Sequence, residues 1–214
     1  MRSCVIFYHK NALKIYEQSW IDQCVNSVLG QTYTQFEILE LNYGGGTDRF
    51  TEGSQFFSLE MENHIEAMNF LINYAFASGF DVVFNTNMDD NYHRDRFALQ
   101  LHAIKRGAQL VSCNFRYFGA RVKDMDMARF NKTIGENLAK GHNVIAHPAV
   151  AMHRSFWDAD LHYKNILGSE DLELWERAWH KGKKFEILPD YLLNYRLHPN
   201  QVTQMYSGYG GKKK

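Results

Sequence analysis

Apolar residues recur along this chain with two different spacings. Cys4-Val5-Ile6-Phe7-Tyr8 is a continuous apolar run of strand length that breaks at His9-Lys10-Asn11, the pattern of a strand buried on both faces. Trp20, Ile21, Cys24, Val25, Val28 and Leu29 then return every three or four residues, which predicts one apolar face of a helix closed by Gly30. Phe36-Glu37-Ile38-Leu39-Glu40-Leu41 reads as the next strand. It runs into Asn42-Tyr43-Gly44-Gly45-Gly46-Thr47-Asp48, where successive glycines suit close backbone approach to a ligand, a tight turn or a flexible loop. A second helix is predicted over 65–77, with Ile65, Met68, Leu71, Ile72, Ala75 and Phe76 on one side and Gly79 as its stop. It feeds the short strand Val82-Val83-Phe84. This order of elements implies parallel strands joined by right-handed crossovers, the plan of a nucleotide-type half-domain.

The pattern continues with a helix over 94–106 and a strand over 109–113, then loosens. Residues 114–121 alternate enough for an edge strand, and 125–140 read as helical. His142 and His147 flank a short strand-like apolar run, Val144-Ile145-Ala146. A helix entered through Ser169 follows, with Gly182 just past its end. Phe185-Glu186-Ile187-Leu188-Pro189 is a strand, and Tyr195-Arg196-Leu197-His198-Pro199-Asn200 closes the patterned part.

The segment with the most chemistry is Asn85-Thr86-Asn87-Met88-Asp89-Asp90-Asn91, which follows the Val82-Val83-Phe84 strand. It delivers two adjacent carboxylates to a strand's carboxyl end, the edge where open α/β sheets bind ligands. Paired carboxylates repel unless a cation sits between them, and a hard ion such as Mg²⁺ or Mn²⁺, shared with a substrate's phosphates, is their natural partner. A polar turn after a strand carries the same residue types, so the segment alone leaves both readings open.

Composition narrows the field. Lys plus Arg and Asp plus Glu number 24 each in 214 residues, so no basic field exists to collect nucleic acid. Aromatic residues make up 14%, enough for some rings to line a cleft for a flat base or a sugar face. The three cysteines, Cys4, Cys24 and Cys113, lack metal-ligand spacing, and a reducing compartment is the simplest inference. No run approaches the roughly 18 to 20 apolar residues of a membrane span, and the N-terminus lacks a signal-peptide profile. The glycine- and lysine-rich stretch 206–214 reads as a flexible tail or a linker to further domains.

Longer motifs then carry a resemblance. Ser27-Val28-Leu29-Gly30-Gln31-Thr32-Tyr33-Thr34-Gln35-Phe36-Glu37-Ile38, Ser169-Glu170-Asp171-Leu172-Glu173-Leu174-Trp175 and Tyr195-Arg196-Leu197-His198, together with Asp89 and Asp90, run in the order of the GT-A fold glycosyltransferases of family 2. The chain resembles that family over residues 5 to 203. Residues 85–93 and 141–148 also look like the N-terminal domain of multidomain chlorovirus glycosyltransferases that decorate capsid glycans. The family's Asp-x-Asp-Asp motif is Asn87-Met88-Asp89-Asp90 here, so the resemblance makes Asp89 the leading metal ligand, joined by Asp90 and His198. It counts Asn87 and Met88 among the nucleotide-binding residues, Asn87 offering only a neutral acceptor where the family has an Asp, and makes Arg196 a phosphate binder. Tyr8 and His9, after the first strand, are read evenly as contacts to the base or ribose and as residues that finish the strand, and the resemblance sets Asn42 against the base, although the family has an Asp there. Arg196 is read equally as a structural ion pair. A carboxylate at a helix N-terminus stays ionised because the dipole favours its charge, although acidic residues in a first turn are also ordinary helix-start chemistry; with the resemblance, Asp171 is the general base and Glu170 positions acceptor or base. His142 and His147 are read as lining the acceptor side or as core; Trp157, Trp175 and Trp179 could offer a stacking platform for a sugar, but Trp175 and Trp179, four apart on one helix face, are mostly core.

The expectation is a single α/β, Rossmann-like GT-A domain over 1–205, its mostly parallel central sheet flanked by helices. A nucleotide-binding half spans 1–95 and an acceptor half 96–205. The implied activity is Mn²⁺- or Mg²⁺-dependent transfer of a sugar from a nucleoside-diphosphate donor, UDP first, to a hydroxyl of a glycan or glycoconjugate, inverting the anomeric carbon. Retention, an inactive nucleotide-sugar-binding module and a nucleotidyltransferase are the alternatives, the last disfavoured because Tyr8-His9-Lys10-Asn11-Ala12 is not a triphosphate-binding loop. A cytoplasmic location, that of the host if viral, goes with this reading.

Overall fold

The first apolar run forms β1 (Ser3–His9), buried at nearly every position because neighbours cover both faces. A short helix α1 (Ala12–Ile15) leads into α2 (Gln18–Leu29), whose Ile21, Cys24, Val25 and Val28 turn inward. β2 (Phe36–Asn42), β3 (Gln55–Ser58) and α3 (His64–Ala77) follow. Asn63 starts α3, its Oδ1 accepting from the Ile65 and Glu66 amides at 3.0 and 3.2 Å. Next come β4 (Val82–Asn85), β5 (Asn91–Tyr92), α4 (Arg96–Lys105) and β6 (Leu110–Gly119). β7 (Lys123–Met125), α5 (Ile134–Ala139), β8 (Ala151–His153), α6 (Glu170–His180) and β9 (Phe185–Leu197) complete the chain. This computed structural model describes residues 1–199 and residue 201, so the expected tail at 206–214 lies outside the described residues.

One sheet runs in the order β3-β2-β1-β4-β8-β6-β9-β5, with β7 added on β6. β3, β2, β1 and β4 are parallel, as the crossover pattern requires, and β6 and β9 are a second parallel pair. Antiparallel β8 joins the two sets. α3 packs on β1, β2 and β4, and α4 packs on β6, β8 and β9, so the α/β class and the helix-flanked sheet are as expected. The sheet's core is aromatic where the halves meet: Phe84 and Phe97 stack at 4.0 Å, and Phe36 meets Phe97 edge-on at 5.1 Å. Among the described residues no helix is long and apolar enough to cross a membrane.

The loosely patterned middle departs from expectation. Residues 114–119 continue β6 with β9 on one side and β7 on the other, so they are not an edge. Their alternation reflects a strand whose far half overhangs a cleft instead of core. Residues 125–140 hold only β7's end, a single 3₁₀ turn at Ala128–Phe130 and the short α5. Long-range polar ties override the helical pattern there: Asn114 Oδ1 accepts from Met127 N and Ala128 N at 2.7 and 2.8 Å, and Asn131 exchanges two bonds with Ile187. The run Val144-Ile145-Ala146 is no strand; it is buried loop, its Ala146 N–H donating to Ser112 Oγ at 2.9 Å. β9 runs straight through Pro189, because a register shift opposite Cys113 and Asn114 spares the missing N–H while the Pro189 carbonyl accepts from Asn114 Nδ2 at 2.9 Å.

Candidate active site

A cleft of about 470 Å³ opens at the carboxyl ends of β1 and β4. Tyr8 and His9 end β1, Asn87, Met88 and Asp89 follow β4, and Glu170 and Asp171 begin α6; all line it. The far wall comes from Phe115, Tyr117, Met125 and Tyr195, and its rim includes His142, Asn143 and His147. Of the expected site residues, Tyr8, His9, Asn87, Met88, Asp89, Glu170 and Asp171 thus line one cleft, whereas Asn42, Asp90, Arg196 and His198 stand behind its wall.

Asp89 and His198 face each other, with His198 Nε2 2.9 Å from Asp89 Oδ2 and both residues buried. That spacing is a hydrogen bond, and it also suits two neighbouring ligands of one small divalent ion held at about 2.1 Å. Among the described residues no group of three or more His, Cys, Asp or Glu forms a closed metal cage. A carboxylate with an imidazole, leaving further positions to phosphate oxygens and water, is a donor set such an ion accepts, so the residues fit it. The His198 ring is wedged by Trp20 and Tyr16, at 4.9 and 5.8 Å between centroids.

Asp90 points away from the cleft. Its Oδ1 accepts from Arg196 N at 2.8 Å, Oδ2 is buried without a partner, and burial plus the neighbouring Asp89 holds its pKa well above the carboxylate range. The Arg196 guanidinium lies beneath the same turn. It donates to the Asp89 carbonyl at 2.8 Å and to Gln23 at 2.6 Å, between the rings of Trp20 and Phe118 at 4.8 and 4.3 Å. Gln201 adds a bond to the Arg196 carbonyl and accepts from the His198 N–H. A deeper arginine, Arg96, is fully buried under the end of β4, donating to the Asn85 carbonyl at 2.6 Å.

At the other end of the cleft, the Tyr8 hydroxyl donates to Asn87 Oδ1 at 3.1 Å, and burial raises its pKa so that the donor proton stays in place. His9 is anchored from behind by Glu40, 3.2 Å away, in a pair with no exposed side-chain surface. Glu40 also accepts from the Phe50 and Thr51 amides at 2.7 and 2.9 Å and from the Thr51 hydroxyl. Burial works to raise the Glu40 pKa, but His9, Thr51 and these amides outweigh it and leave it below the usual value. Asn42 is buried beside the cleft without lining it, its Oδ1 accepting from Gly44 N at 3.0 Å. Gly45, at φ 71°, makes the turn there, so of the readings open for the glycines the tight turn is present.

Asp171 is buried at the first turn of α6, its Oδ2 accepting from Asn143 Nδ2 and its Oδ1 from Leu172 N, both at 2.7 Å. Glu170 pairs with His64 on α3 at 3.0 Å; burial raises its pKa, yet His64 and a backbone N–H bring it below the usual value. Ser169 makes no side-chain cap, and Gly168 N donates to Glu170 instead. Glu40, His64, Asn143 and Gln23 were not singled out from the sequence. Only Glu40 carried a signal, a carboxylate inside an apolar strand.

The fold is the one found in solved glycosyltransferases. The chain is similar to S. aureus TarS 1-349, solved in complex with UDP-GlcNAc, with a TM-score of 0.70 at 14% identity, covering 95% of this chain and 60% of that one. It is also similar to the mannosyltransferase PcManGT from Pyrobaculum calidifontis, solved with GDP-Man and Mn²⁺, with a TM-score of 0.67 at 15% identity, covering 97% of this chain and 58% of that one. In sequence it is 24% identical over 199 residues to the O-antigen biosynthesis glycosyltransferase WbnJ of Escherichia coli, covering 86% of this chain and 77% of that protein. The chain thus spans most of WbnJ but less than two thirds of either solved chain. No protein-family model matches it.

Proposed function

We propose that the chain is a metal-dependent glycosyltransferase that moves a sugar from a nucleoside-diphosphate donor to a hydroxyl of a glycan or glycoconjugate. The observation that carries this reading is one cleft lined by Asp89 after β4 and by Asp171 at the start of α6. In it, residues 1–95 bind the nucleotide and 96–205 the acceptor. Tyr8, His9 and the turn at Asn42 receive the base and ribose, and Asn87 and Met88 flank the diphosphate. Asp89 and His198 hold Mn²⁺ or Mg²⁺, which when bound neutralises charge on the departing diphosphate. Asp90 and Arg196 keep that turn in shape from behind. The bound nucleotides of TarS and PcManGT and the Mn²⁺ of the latter support this assignment, and the O-antigen role of WbnJ supports a glycan acceptor.

Asp171 takes the acceptor's hydroxyl proton, with Asn143 and the Leu172 N–H fixing its carboxylate. The acceptor oxygen then forms a bond to the anomeric carbon as the bond to the diphosphate oxygen breaks, the electron pair leaving with the diphosphate. Attack from the face opposite the leaving group inverts the centre. Work in the cytoplasm belongs to the same reading, consistent with three buried free thiols.

The test is donor cleavage with UDP-, GDP- and dTDP-sugars, with and without Mn²⁺, on the wild type, Asp89→Ala and Asp171→Asn. Metal-dependent release of one nucleoside diphosphate, lost in Asp89→Ala, is expected. Failure of every donor to bind would sink the assignment.

A further inference from the structure

We propose that Tyr117 and Tyr195, braced by buried Phe115 and flanked by Met125, form a stacking platform that takes the C–H face of a pyranose ring, so that the acceptor is itself a sugar. This rests on the transferase reading of the same cleft and adds to it the residues that hold the acceptor's ring.

Strand register builds the platform. In the parallel pair of β6 with β9, Phe115 stands opposite Leu193 and Tyr117 opposite Tyr195, and antiparallel β7 sets Met125 opposite Phe115. Side chains two apart on a strand share a face, so Phe115, Tyr117, Tyr195 and Met125 all project to the cleft side. The intervening residues serve the opposite face, where Phe118 and Arg196 stack at 4.3 Å behind the Asp89 turn. The three rings brace one another, with centroids 5.1 Å apart for Phe115 and Tyr117, 5.5 Å for Tyr117 and Tyr195, and 6.0 Å for Phe115 and Tyr195. Tyr117 and Tyr195 are half-buried on the cleft wall.

A ring's π-face is electron-rich, and one face of a pyranose presents C–H bonds that are electron-poor, while its hydroxyls point outward along the edge. The cleft supplies partners for both: the aromatic wall for the face, and Asn143, His142 and Asp171 for the hydroxyls. Asn143 already grips Asp171 at 2.7 Å, so a hydroxyl presented at that edge meets the proposed base. A nucleobase is also flat, but the polar ends of β1 and β2 serve it on this reading, leaving the β6-β7-β9 wall to the second substrate.

Saturation-transfer NMR with a panel of methyl pyranosides tests the platform without relying on turnover, on the wild type, Tyr117→Leu and Tyr117→Phe, each with UDP and GDP titrated separately. Thermal melts check that the variants fold. The wild type should saturate ring C–H protons of one face; Tyr117→Leu should weaken the pyranoside about fivefold or more, and Tyr117→Phe should restore it. Nucleotide affinity should stay level in all three. Pyranoside binding that persists where no nucleotide binds supports the platform while sinking the transferase reading. Equal pyranoside binding in Tyr117→Leu overturns the platform, as does absence of binding in the wild type. Loss of nucleotide binding in Tyr117→Leu overturns it too, by giving the ring to the base.

Discussion

Asp89 and Asp90 are neighbours in sequence with different surroundings, and that difference is testable. Asp89 lines the cleft and meets His198 at 2.9 Å, whereas Asp90 turns inward to accept the Arg196 N–H at 2.8 Å. Asp89→Ala should therefore lower metal-dependent donor cleavage by about 10²- to 10³-fold, the loss typical of one preorganised electrostatic group. Asp90→Asn keeps an oxygen for Arg196 and should retain both activity and Mn²⁺ affinity. Asp90→Ala leaves that buried N–H unpaired and should cost about 1–3 kcal/mol in urea unfolding. An Mn²⁺ titration of activity in which Asp90→Asn weakens the metal as much as Asp89→Asn would return Asp90 to the ligand set. Adjacent carboxylates after a strand were legible in the sequence. Which one faces the cleft was not, because it depends on how β9 arrives beside the turn, more than a hundred residues later.

Elements with an uninterrupted apolar period were legible almost to their ends: β1, α2, α3 and β4 lie where the pattern sets them. Those fixed by distant polar contacts were not, as Asn114 holding Met127 and Ala128 shows. β3 was missed because half-buried Phe56 and Phe57 sit between exposed residues in a segment of only four. Gly119 ends β6 at φ 90°, and a Cβ there would lie 2.8 Å from the Leu197 carbonyl oxygen. Gly119→Ala should push β9 off β6 beside His198 and raise the Mn²⁺ concentration for half-maximal activity, with the melting temperature also falling. The Glu40 carboxylate pins residues 50–54 to β2 and His9 to the cleft. Its pKa lies below that of an ordinary glutamate, so the folded state binds the proton less readily than the unfolded chain. The stability it contributes is complete above about pH 4.5 and is lost as pH falls through the lowered folded value. Glu40→Gln should cost about 3 kcal/mol at neutral pH and flatten the acid limb of a plot of urea midpoint against pH.

Across the whole molecule the cleft is also where the two expected halves touch. One tie over it is His64 at the start of α3 with Glu170 at the start of α6, 3.0 Å apart, and both line the cleft. A helix of the N-terminal half thus holds the turn that carries Asp171. The sequence showed each helix start separately; their meeting is a product of the sheet order, in which β8 closes β4 against β6 and brings the later chain back over α3. If the tie positions Asp171 for catalysis, its loss should affect the chemical step more than donor capture. His64→Ala should lower kcat by about tenfold with little change in donor KM, the mark of an interaction expressed in the transition state and not in ground-state binding. His64→Gln, which keeps an N–H donor for Glu170, should recover much of the rate. A rise in donor KM at unchanged kcat would instead make His64 part of the nucleotide pocket, and equal rates in all three proteins would reduce the contact to a tie between two helices.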